Sequence, residues 1–387
     1  MEGIINFDHA AATRPLHDVA ESMKPYMLDV FGNPSSMHSE GQRVKEAIDE
    51  AREQVASLIN ASPEEIVFTA SGSESNNFTL KGVAFANRKK GDHIVVSAIE
   101  HFSVLQAAKS LEKLGYQVSQ IPVDKDGLVD PDDVKKAITD KTILVSIMYA
   151  NHEVGTIEPI EEIAKIVKER GILFHSDGVQ TVGTIPVDVK KLNVDFLSFA
   201  AQTFYGPKGV AGLYIKKGAR IDPLIVGGIQ EGGRRAGTEN VMGIVGMGTA
   251  AELASKEVAK RIAHVQVLRD LLIQSIEGKI DHVCLHGHRE LRLPNNVNFG
   301  FEYIEGESIL LLLGMENILA SSGSACTSKA LKASHVLSAI GVSPEIANGS
   351  ILFTLGIDNT EADVNLLSEK LPRIVDRLRA MSPLYQK

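Results

Sequence analysis

The chain has 387 residues, of which 44% are hydrophobic and 23% are charged, so it is long enough for more than one core and is not compositionally disordered. A net charge of −9, with no basic stripe, excludes sequence-independent binding to nucleic acid. No apolar run reaches a membrane span and the N-terminus lacks a signal-peptide pattern, so we expect a cytoplasmic protein without a membrane partner. The only cysteines, Cys284 and Cys326, are too few for a disulfide framework.

Short apolar runs that alternate with amphipathic helical segments dominate the first part of the chain. The runs lie at residues 94–97, 143–148, 172–175, 196–199 and 210–215. Runs of this length and composition are typical of buried strands. Their alternation with helical segments such as 160–170 predicts a mostly parallel sheet with helices on both faces.

The second part of the chain follows a different pattern. A long helical pattern runs from about Thr238 to Ile276, and a mixed pattern follows Leu291. We therefore predict a large α/β domain over residues 13–255 and a smaller α+β domain built from residues 1–12 and 256–387.

Polar residues follow several of the predicted strands, where open α/β sheets bind their ligands. Residues 68–77, with the sequence FTASGSESNN, combine small residues and hydroxyls before a helix, a pattern typical of an anion site but also of a simple helix cap. His101 and Asp177 each lie just beyond a predicted strand. Alone, the histidine could be a satisfied core residue and the aspartate a helix cap. Their joint placement at strand ends favours one shared pocket.

Residues 198–209, with the sequence SFAAQTFYGPKG, resemble the cofactor-lysine segment of the NifS/IscS-type cysteine desulfurases, a class-V branch of the fold-type I pyridoxal-phosphate (PLP) enzymes. That segment reads approximately S-x-S-x-H-K-x-x-G-P-K-G. Matching segments extend from Asp8 to Leu355 and include residues 33–38, 175–180 and 227–240. The resemblance implies a fold-type I PLP-transferase-like α/β fold with a mostly parallel seven-stranded sheet, and a homodimer.

The resemblance also implies roles for individual residues around the cofactor. Gly72 and Ser73 fall in the phosphate loop, and His101 falls where the family histidine stacks on the ring and handles protons. Asp177 would pair with the pyridinium nitrogen, and Gln180 would contact the ring oxygen. Thr238 occupies the position that reaches the phosphate of the partner subunit in the family dimer.

The residues that differ from the family pattern lie at positions that bind the cofactor or the substrate. Thr203 replaces the Schiff-base lysine, and a hydroxyl cannot form an imine with an aldehyde. Leu352 replaces the arginine that binds the substrate carboxylate, so two charge-assisted hydrogen bonds are lost. The remaining changes are Gln202 for a histidine, His152 for an asparagine and Ala200 for a serine, each at a cofactor contact. Because these changes occur together, we interpret them as natural rather than engineered, with PLP not bound covalently.

The sulfur-handling loop, in contrast, keeps the family pattern. Residues 321–329, with the sequence SSGSACTSK, resemble the mobile loop whose cysteine attacks the substrate sulfur and carries a persulfide to a scaffold protein. Cys326 is therefore the expected catalytic thiol and metal ligand, whereas we interpret Cys284 as a small buried hydrophobe. An iron–sulfur cluster takes four thiolate-type ligands, so we expect Cys326 to contribute to a [2Fe–2S] cluster shared with an IscU-type scaffold.

Three functions remain open at this point. The first is an iron–sulfur cluster assembly protein without the usual desulfurase activity, which docks the scaffold and contributes Cys326 as sulfur carrier or cluster ligand. The second is an active cysteine desulfurase with noncovalent PLP, and the third is another fold-type I reaction on a PLP–amino acid adduct. For the first function we also expect His101, His152 or a water molecule to donate a hydrogen bond to the buried Asp177.

Overall fold

The structure is a computed structural model, and it describes residues 3–323 and 334–385. Within these residues the strands are β1 (Ile5–Asn6), β2 (Ile66–Thr69), β3 (His93–Ser97), β4 (Gln117–Ile121), β5 (Thr142–Ser146), β6 (Leu173–Asp177), β7 (Phe196–Ala200), β8 (Ala211–Ile215), β9 (Val283–Leu285), β10 (Asn296–Phe301), β11 (Ile318–Leu319) and β12 (Ser350–Thr354). The helices are α1 (His17–Met23), α2 (Pro25–Leu28), α3 (Ser39–Leu58), α4 (Gly72–Asn87), α5 (Phe102–Glu112), α6 (Pro131–Ala137), α7 (Ile160–Glu169), α8 (Val189–Leu192), α9 (Val241–Lys279), α10 (Gly306–Met315), α11 (His335–Ala339), α12 (Pro344–Asn348) and α13 (Glu361–Met381).

A seven-stranded sheet in the order β2-β8-β7-β6-β5-β3-β4 forms the centre of the molecule. All its strands run parallel except β8, which is antiparallel to both β2 and β7. This confirms the predicted α/β class and the mostly parallel sheet. The five apolar runs correspond to β3 and to β5–β8. No apolar run marks β4, because this edge strand, QVSQI, is polar and mostly accessible.

Helices cover both faces of this sheet and enclose separate apolar layers. One layer packs α3, α7 and the first part of α9 against the sheet, and the other packs α4 and α5 against the opposite face. The alternation in the sequence produces this arrangement because a parallel strand needs a crossover helix to return to its starting edge.

A second core lies around the C-terminal elements. The strands β12, β10 and β9 form a small sheet, and β1 pairs with β11 beside it. This core joins the last part of α9 to α10 and α13, and Phe7 from the N-terminus belongs to it. Because α9 continues through both cores, the division predicted near residue 255 stays a prediction.

The structure corrects the interpretation of Cys284. This residue lies in β9, which is the edge strand of the small sheet, and its side chain is exposed rather than buried. Cys326 lies outside the described residues. None of the helices in the described ranges is both long enough and apolar enough to cross a membrane.

Candidate active site

A cavity of about 380 Å³ lies at the carboxyl ends of the parallel strands. This position follows from the topology, because β2, β3, β5, β6 and β7 all end at the same edge of the sheet. The cavity brings together most of the residues that the sequence nominated. They are Gly72, Ser73, His101, His152, Asp177, Gln180, Ala200, Gln202 and Thr203, together with Leu352.

One end of the cavity is the N-terminus of α4. Ser71 caps this helix by accepting a hydrogen bond from the amide of Glu74, at 3.1 Å. Gly72 permits a close approach of the chain, since a Cβ atom there would lie 2.6 Å from Cγ2 of Val179. The free amides and dipole of a 16-residue helix favour an anion at this end.

A hydrogen-bonded chain of side chains leads from Asp177 to His101. Asn76 Nδ2 donates to Asp177 Oδ2 at 2.7 Å and lies 2.8 Å from Ser103 Oγ. The Ser103 hydroxyl in turn lies 2.8 Å from His101 Nδ1. The backbone amide of Val179 also donates to Asp177 Oδ1, at 3.0 Å. Neither histidine donates to Asp177; a helical asparagine and a backbone amide do, and the water molecule that was the alternative donor stays a prediction.

This network determines the protonation of both ends. His101 Nδ1 accepts the backbone amide of Ser103 at 3.1 Å, so the neutral ring carries its proton on Nε2. Burial raises the pKa of Asp177, while His101 and the donated hydrogen bonds oppose that rise.

His152 lies beside His101 in the cavity wall, with ring centroids 5.3 Å apart and nearly perpendicular planes. Burial, reinforced by the neighbouring histidines His101 and His335, lowers its pKa to about 3. Its Nδ1 is buried and has no hydrogen-bond partner within residues 3–323 and 334–385. His152 is therefore a neutral ring in the folded chain and does not supply a positive charge to the cavity.

Thr203 occupies a short 3₁₀ turn, Ala201–Thr203, directly after β7. Its hydroxyl lies 2.7 Å from the carbonyl oxygen of Val179 and 2.9 Å from that of Ala200, so its single proton is directed at these two acceptors. Thr13 stabilises this turn, because its amide and its hydroxyl both donate hydrogen bonds to the carbonyl of Gln202. The hydroxyl at the position of the cofactor lysine is thus used by the backbone, which leaves it poorly suited to act as a nucleophile.

Leu352 lies in the middle of β12 and is 3% exposed. Its backbone pairs with Ser321, with N–O distances of 2.7 and 3.1 Å, and its side chain faces the cavity. Among the described residues that line the cavity there is no lysine or arginine. The described wall therefore offers no cation to a substrate carboxylate.

Gln180 and Ala200 also lie where the sequence placed them, in the cavity wall. The side-chain amide of Gln180 donates to the carbonyl of Ala10, at 3.2 Å. Ala200 ends β7 and has no polar atom to offer beyond its backbone. Thr238, in contrast, lines a separate hollow of about 160 Å³ with Arg235 and Asn240. Its assignment to a neighbouring subunit's site stays a prediction.

Sequence reasoning missed several buried polar residues of this site. Asn76 was inside the nominated loop, and its spacing of four residues from Gly72 places both on one face of α4. Burial raises the pKa of Glu100 to about 8 and that of Glu153 to about 7. The sequence carried no signal for these two, because their environments come from distant elements.

Comparison with known proteins agrees with this geometry. Residues 5–367 match the aminotransferase class-V family. The cysteine desulfurase IscS of Dictyoglomus turgidum is 54% identical over 100% of this chain and 98% of its own length, and that of Methanosarcina thermophila is 52% identical over 99% and 95%. A solved NifS-like protein has a TM-score of 0.91 and 39% identity, covering 97% of this chain and 100% of that chain. The chain belongs to the class-V aminotransferase family, in its NifS/IscS-type cysteine desulfurase branch.

The family implies PLP, and the donor set of the cavity fits part of that cofactor. The N-terminus of α4 suits a phosphate, and the buried Asp177, held by Asn76, suits a protonated ring nitrogen. Covalent attachment does not fit, because Thr203 has no amine and its hydroxyl is bonded to the backbone. The described residues thus match the cofactor's two polar ends and lack its anchor.

Proposed function

We propose that this chain serves iron–sulfur cluster assembly through the Cys326 thiol, without covalent PLP and without the usual PLP-dependent desulfurase activity. It docks an IscU-type scaffold and contributes Cys326 as sulfur carrier or as a ligand of a [2Fe–2S] cluster. The observation that carries the proposal is Thr203, because a side chain bonded to two backbone carbonyls occupies the position of the cofactor lysine. The names of the relatives, cysteine desulfurase IscS, support a role in sulfur mobilisation.

The substrate end of the cavity supports the same conclusion. Leu352 provides no hydrogen bond to a carboxylate, and the described lining adds no cation. A pocket that lacks both the cofactor anchor and the substrate anchor has lost what free cysteine would need to be bound and cleaved. As a cluster ligand, the Cys326 thiolate requires neither anchor, because iron and sulfide come from elsewhere. As a sulfur carrier it attacks the outer sulfur of a donor persulfide, whose own sulfur leaves as a thiolate, and this exchange also requires neither anchor.

The number of cysteines means that any cluster bound by this chain would have to be shared with another protein. Cys284 is exposed on the edge strand β9, and the chain has no third cysteine. Since a cluster takes four thiolate-type ligands, this chain alone cannot complete one, and the remaining ligands would come from the scaffold. The expected product is a complex in which iron is bound by ligands of both proteins.

The test is reconstitution with an IscU-type scaffold, ferric iron and sulfide, in the absence of cysteine. We expect the wild-type chain and Cys284→Ser to form a coloured complex that co-elutes with the scaffold. Cys326→Ala should lose the cluster from the complex, as measured by visible absorbance and iron content. Equal cluster yield and spectrum with Cys326→Ala would disprove the proposal.

The second candidate is a cysteine desulfurase that binds PLP noncovalently, and the polar ends of the cavity favour it. Here the α4 N-terminus would hold the phosphate and Asp177 the ring nitrogen, while His101, protonated on Nε2, would lie beside the ring. Bound PLP supplies an electron sink for bonds at the substrate's α-carbon.

Addition of PLP and cysteine separates these functions. The leading proposal predicts no sulfide and no alanine. Sulfide release, with cofactor colour that gel filtration removes even after borohydride treatment, would favour the noncovalent enzyme. Thermal stabilisation by pyridoxamine phosphate without sulfide release would favour a reaction on a preformed adduct.

We also propose that the chain acts as a homodimer. Large apolar side chains are exposed near residue 30 and again near residue 227; they are Met27, Leu28, Phe31, Met37, Val226 and Ile229. Where such residues form one contiguous patch, the patch is typical of an interface, and a homodimer would cover it. Sedimentation equilibrium should give twice the chain mass, and a monomer would contradict the assignment of Thr238 to a neighbouring site.

A further inference from the structure

Asp8 brings a carboxyl group into the cavity wall beside Leu352. The N-terminal chain runs along β12, where Asp8 forms a parallel bridge with Thr354. Thr354 and Leu352 are two residues apart in this strand, so they lie on the same face of it. Directly opposed residues of neighbouring strands also share a face, which places the Asp8 side chain on the side of Leu352. In agreement, both Asp8 and Leu352 line the cavity.

Ser321 adjoins Asp8 in this wall. Its backbone pairs with Leu352, and it also lines the cavity. Burial raises the pKa of Asp8, and a hydrogen bond with the Ser321 side chain opposes that rise. Asp8 Oδ1 is buried and has no hydrogen-bond partner among the described residues. One neutral hydroxyl does not compensate a carboxylate that has left water, so the Asp8 carboxyl lacks a donor.

A second carboxyl group reaches the same part of the wall. Glu153 lies in the turn after β5 and is 1% exposed. A Cβ atom at Gly323, two residues after Ser321, would lie 2.6 Å from Glu153 Cγ. The Ser334 hydroxyl donates to Glu153 Oε2 at 2.7 Å, whereas Oε1 is buried without a partner in the described part of the chain. The wall near Ser321 thus has two carboxyl groups, each with an oxygen that still needs a donor.

No lysine or arginine balances these two carboxyl groups within the described lining of the cavity. Of the histidines in that lining, His152 is neutral because burial lowers its pKa to about 3, and burial also lowers the pKa of His335. Leu352 replaces the family arginine that would supply a positive charge here. The charge of this wall is therefore opposite to the charge that a substrate carboxylate requires.

An organic ammonium group fits this wall better than a metal ion does. An ammonium has three N–H donors and one positive charge, so it can donate to both Asp8 and Glu153. A metal ion held by a protein takes three or more ligands from side chains in most sites. Within the described residues there is no group of three histidine, cysteine, aspartate or glutamate side chains that could hold one.

We propose that the cavity binds a small organic ligand by an ammonium group, through Asp8 and, as a second acceptor, Glu153. The ammonium takes the place of the carboxylate that the family arginine would bind. The ligand class is thus a primary amine, and a ligand with a carboxylate at this position is repelled. This site consists of groups in the cavity wall and does not depend on the Cys326 thiol.

The experiment uses three probes that share one part and differ at the free end. Each is the stable secondary amine obtained by reducing PLP with an amine: the ethylenediamine probe ends in an ammonium, the glycine probe in a carboxylate and the propylamine probe in a methyl group. All three carry the phosphate and ring that suit the α4 N-terminus and Asp177, so differences in affinity report on the free end. Isothermal titration calorimetry measures the dissociation constants. No iron, sulfide or scaffold is present, so the result is separate from cluster reconstitution through Cys326.

We expect the wild-type chain to bind the ethylenediamine probe about tenfold more tightly than the propylamine probe, the factor that one charge-assisted hydrogen bond gives. The glycine probe should bind more weakly than either. Asp8→Asn keeps the size of the side chain and removes its charge, so the ethylenediamine preference should fall to about twofold or less. Glu153→Gln should reduce the preference by a smaller factor. Leu352→Arg should reverse the order of the glycine and ethylenediamine probes.

Glu158→Gln is the matched control. Glu158 is buried like Glu153, its carboxylate accepts the amide of Val129 at 2.8 Å, and burial raises its pKa well above the ordinary value, but it does not line the cavity. This variant should keep the wild-type preference. An unchanged preference in folded Asp8→Asn would overturn the proposal. If Asp8→Asn does not fold, the wild-type chain still decides: no binding of the ethylenediamine probe, or equal binding of the glycine probe, would also overturn it.

Discussion

The two ends of the cavity differ in where their polar side chains are directed. At the Asp177 end, every polar contact is a side-chain or amide hydrogen bond directed into the site, from Asn76 and Val179. At the Thr203 end, the hydroxyl is directed into the backbone, and Leu352 presents only carbon. The first end is still organised to bind a charged ring, whereas the second has become part of the protein's own structure.

This difference shows how a catalytic lysine can be lost without loss of the fold. The backbone of Thr203 stays in a 3₁₀ turn that Thr13 fastens through two hydrogen bonds to Gln202. The smaller side chain satisfies carbonyls of the turn and leaves no buried polar group unpaired there. Substitution is less easily tolerated at the Asp177 end, because the loss of Asn76 would leave the buried Asp177 carboxyl with one donor fewer.

The largest expected effect comes from restoring the anchor at the altered end. Thr203→Lys should bind PLP covalently, since the cavity already fits the phosphate and the ring nitrogen. We expect a change from no fixed cofactor to about one per chain, measured by visible absorbance that survives gel filtration after borohydride reduction. Thr203→Val is the control and should fix none. Absence of a fixed cofactor in folded Thr203→Lys would mean that the Asp177 end no longer accepts PLP.

The next effect concerns the stability of the retained end. Asp177→Ala removes acceptors for Asn76 and for the Val179 amide, and we expect it to lower the free energy of unfolding by about 2 to 3 kcal/mol. Asp177→Asn keeps an acceptor oxygen and should cost less than about 1 kcal/mol. Urea denaturation measures both. Equal losses in the two variants would show that charge, rather than hydrogen bonding, holds this end.

Restoring the substrate anchor tests the other altered position. In a Thr203→Lys background, Leu352→Arg should raise cysteine-dependent sulfide release by about tenfold, since a guanidinium can bind the substrate carboxylate with two charge-assisted hydrogen bonds. Leu352→Met, of similar length and without charge, is the control. Equal rates for the arginine and methionine variants would show that another residue binds the carboxylate.

The effect that is smallest for each pH unit is a pH dependence of stability that comes from Glu100, behind the cavity. Its pKa rises from an ordinary 4.5 to about 8, chiefly through burial, so the folded chain keeps a proton that the unfolded chain releases. Stability should therefore fall as pH rises between these values, by on the order of 1 kcal/mol per pH unit. Glu100→Gln removes this contribution and should flatten the curve.

Urea denaturation at about pH 5.5 and about pH 7.5 measures the Glu100 contribution. Glu53→Gln, which removes the charge of an exposed glutamate, controls for the change in net charge. A Glu100→Gln profile parallel to wild type would mean that Glu100 is already ionised in the folded chain.

Much of the site could be predicted because short motifs lie next to strand ends. Asp177 is the last residue of its strand, and His101 and Thr203 follow theirs within a few residues, so a correct strand assignment also places these side chains. The donor to Asp177 could not be predicted in this way. Asn76 reaches it from α4, 101 residues away in sequence, and several neighbouring polar residues on that helix were equally good candidates.

Two other details depended on packing that the sequence does not encode locally. Cys284 is exposed, and the exposure of a strand residue depends on which face of the sheet it lies on and on what covers that face. The commitment of the Thr203 hydroxyl to the Val179 and Ala200 carbonyls depends on the turn geometry after β7. A list of residue types contains neither fact.

The sequence by itself determined the α/β class, the family pattern, the missing lysine at Thr203 and the presence of a thiol at Cys326, because each depends on residue identity and spacing along the chain. Only the tertiary structure decided what surrounds these residues. It closed one end of the cavity with a backbone-bonded threonine, organised the other around Asn76 and Asp177, and brought Gly323 and Ser334 to Glu153. Buried carboxyls and hydroxyls take their partners from whatever the fold places within about 3 Å, and that neighbourhood is not a property of the local sequence.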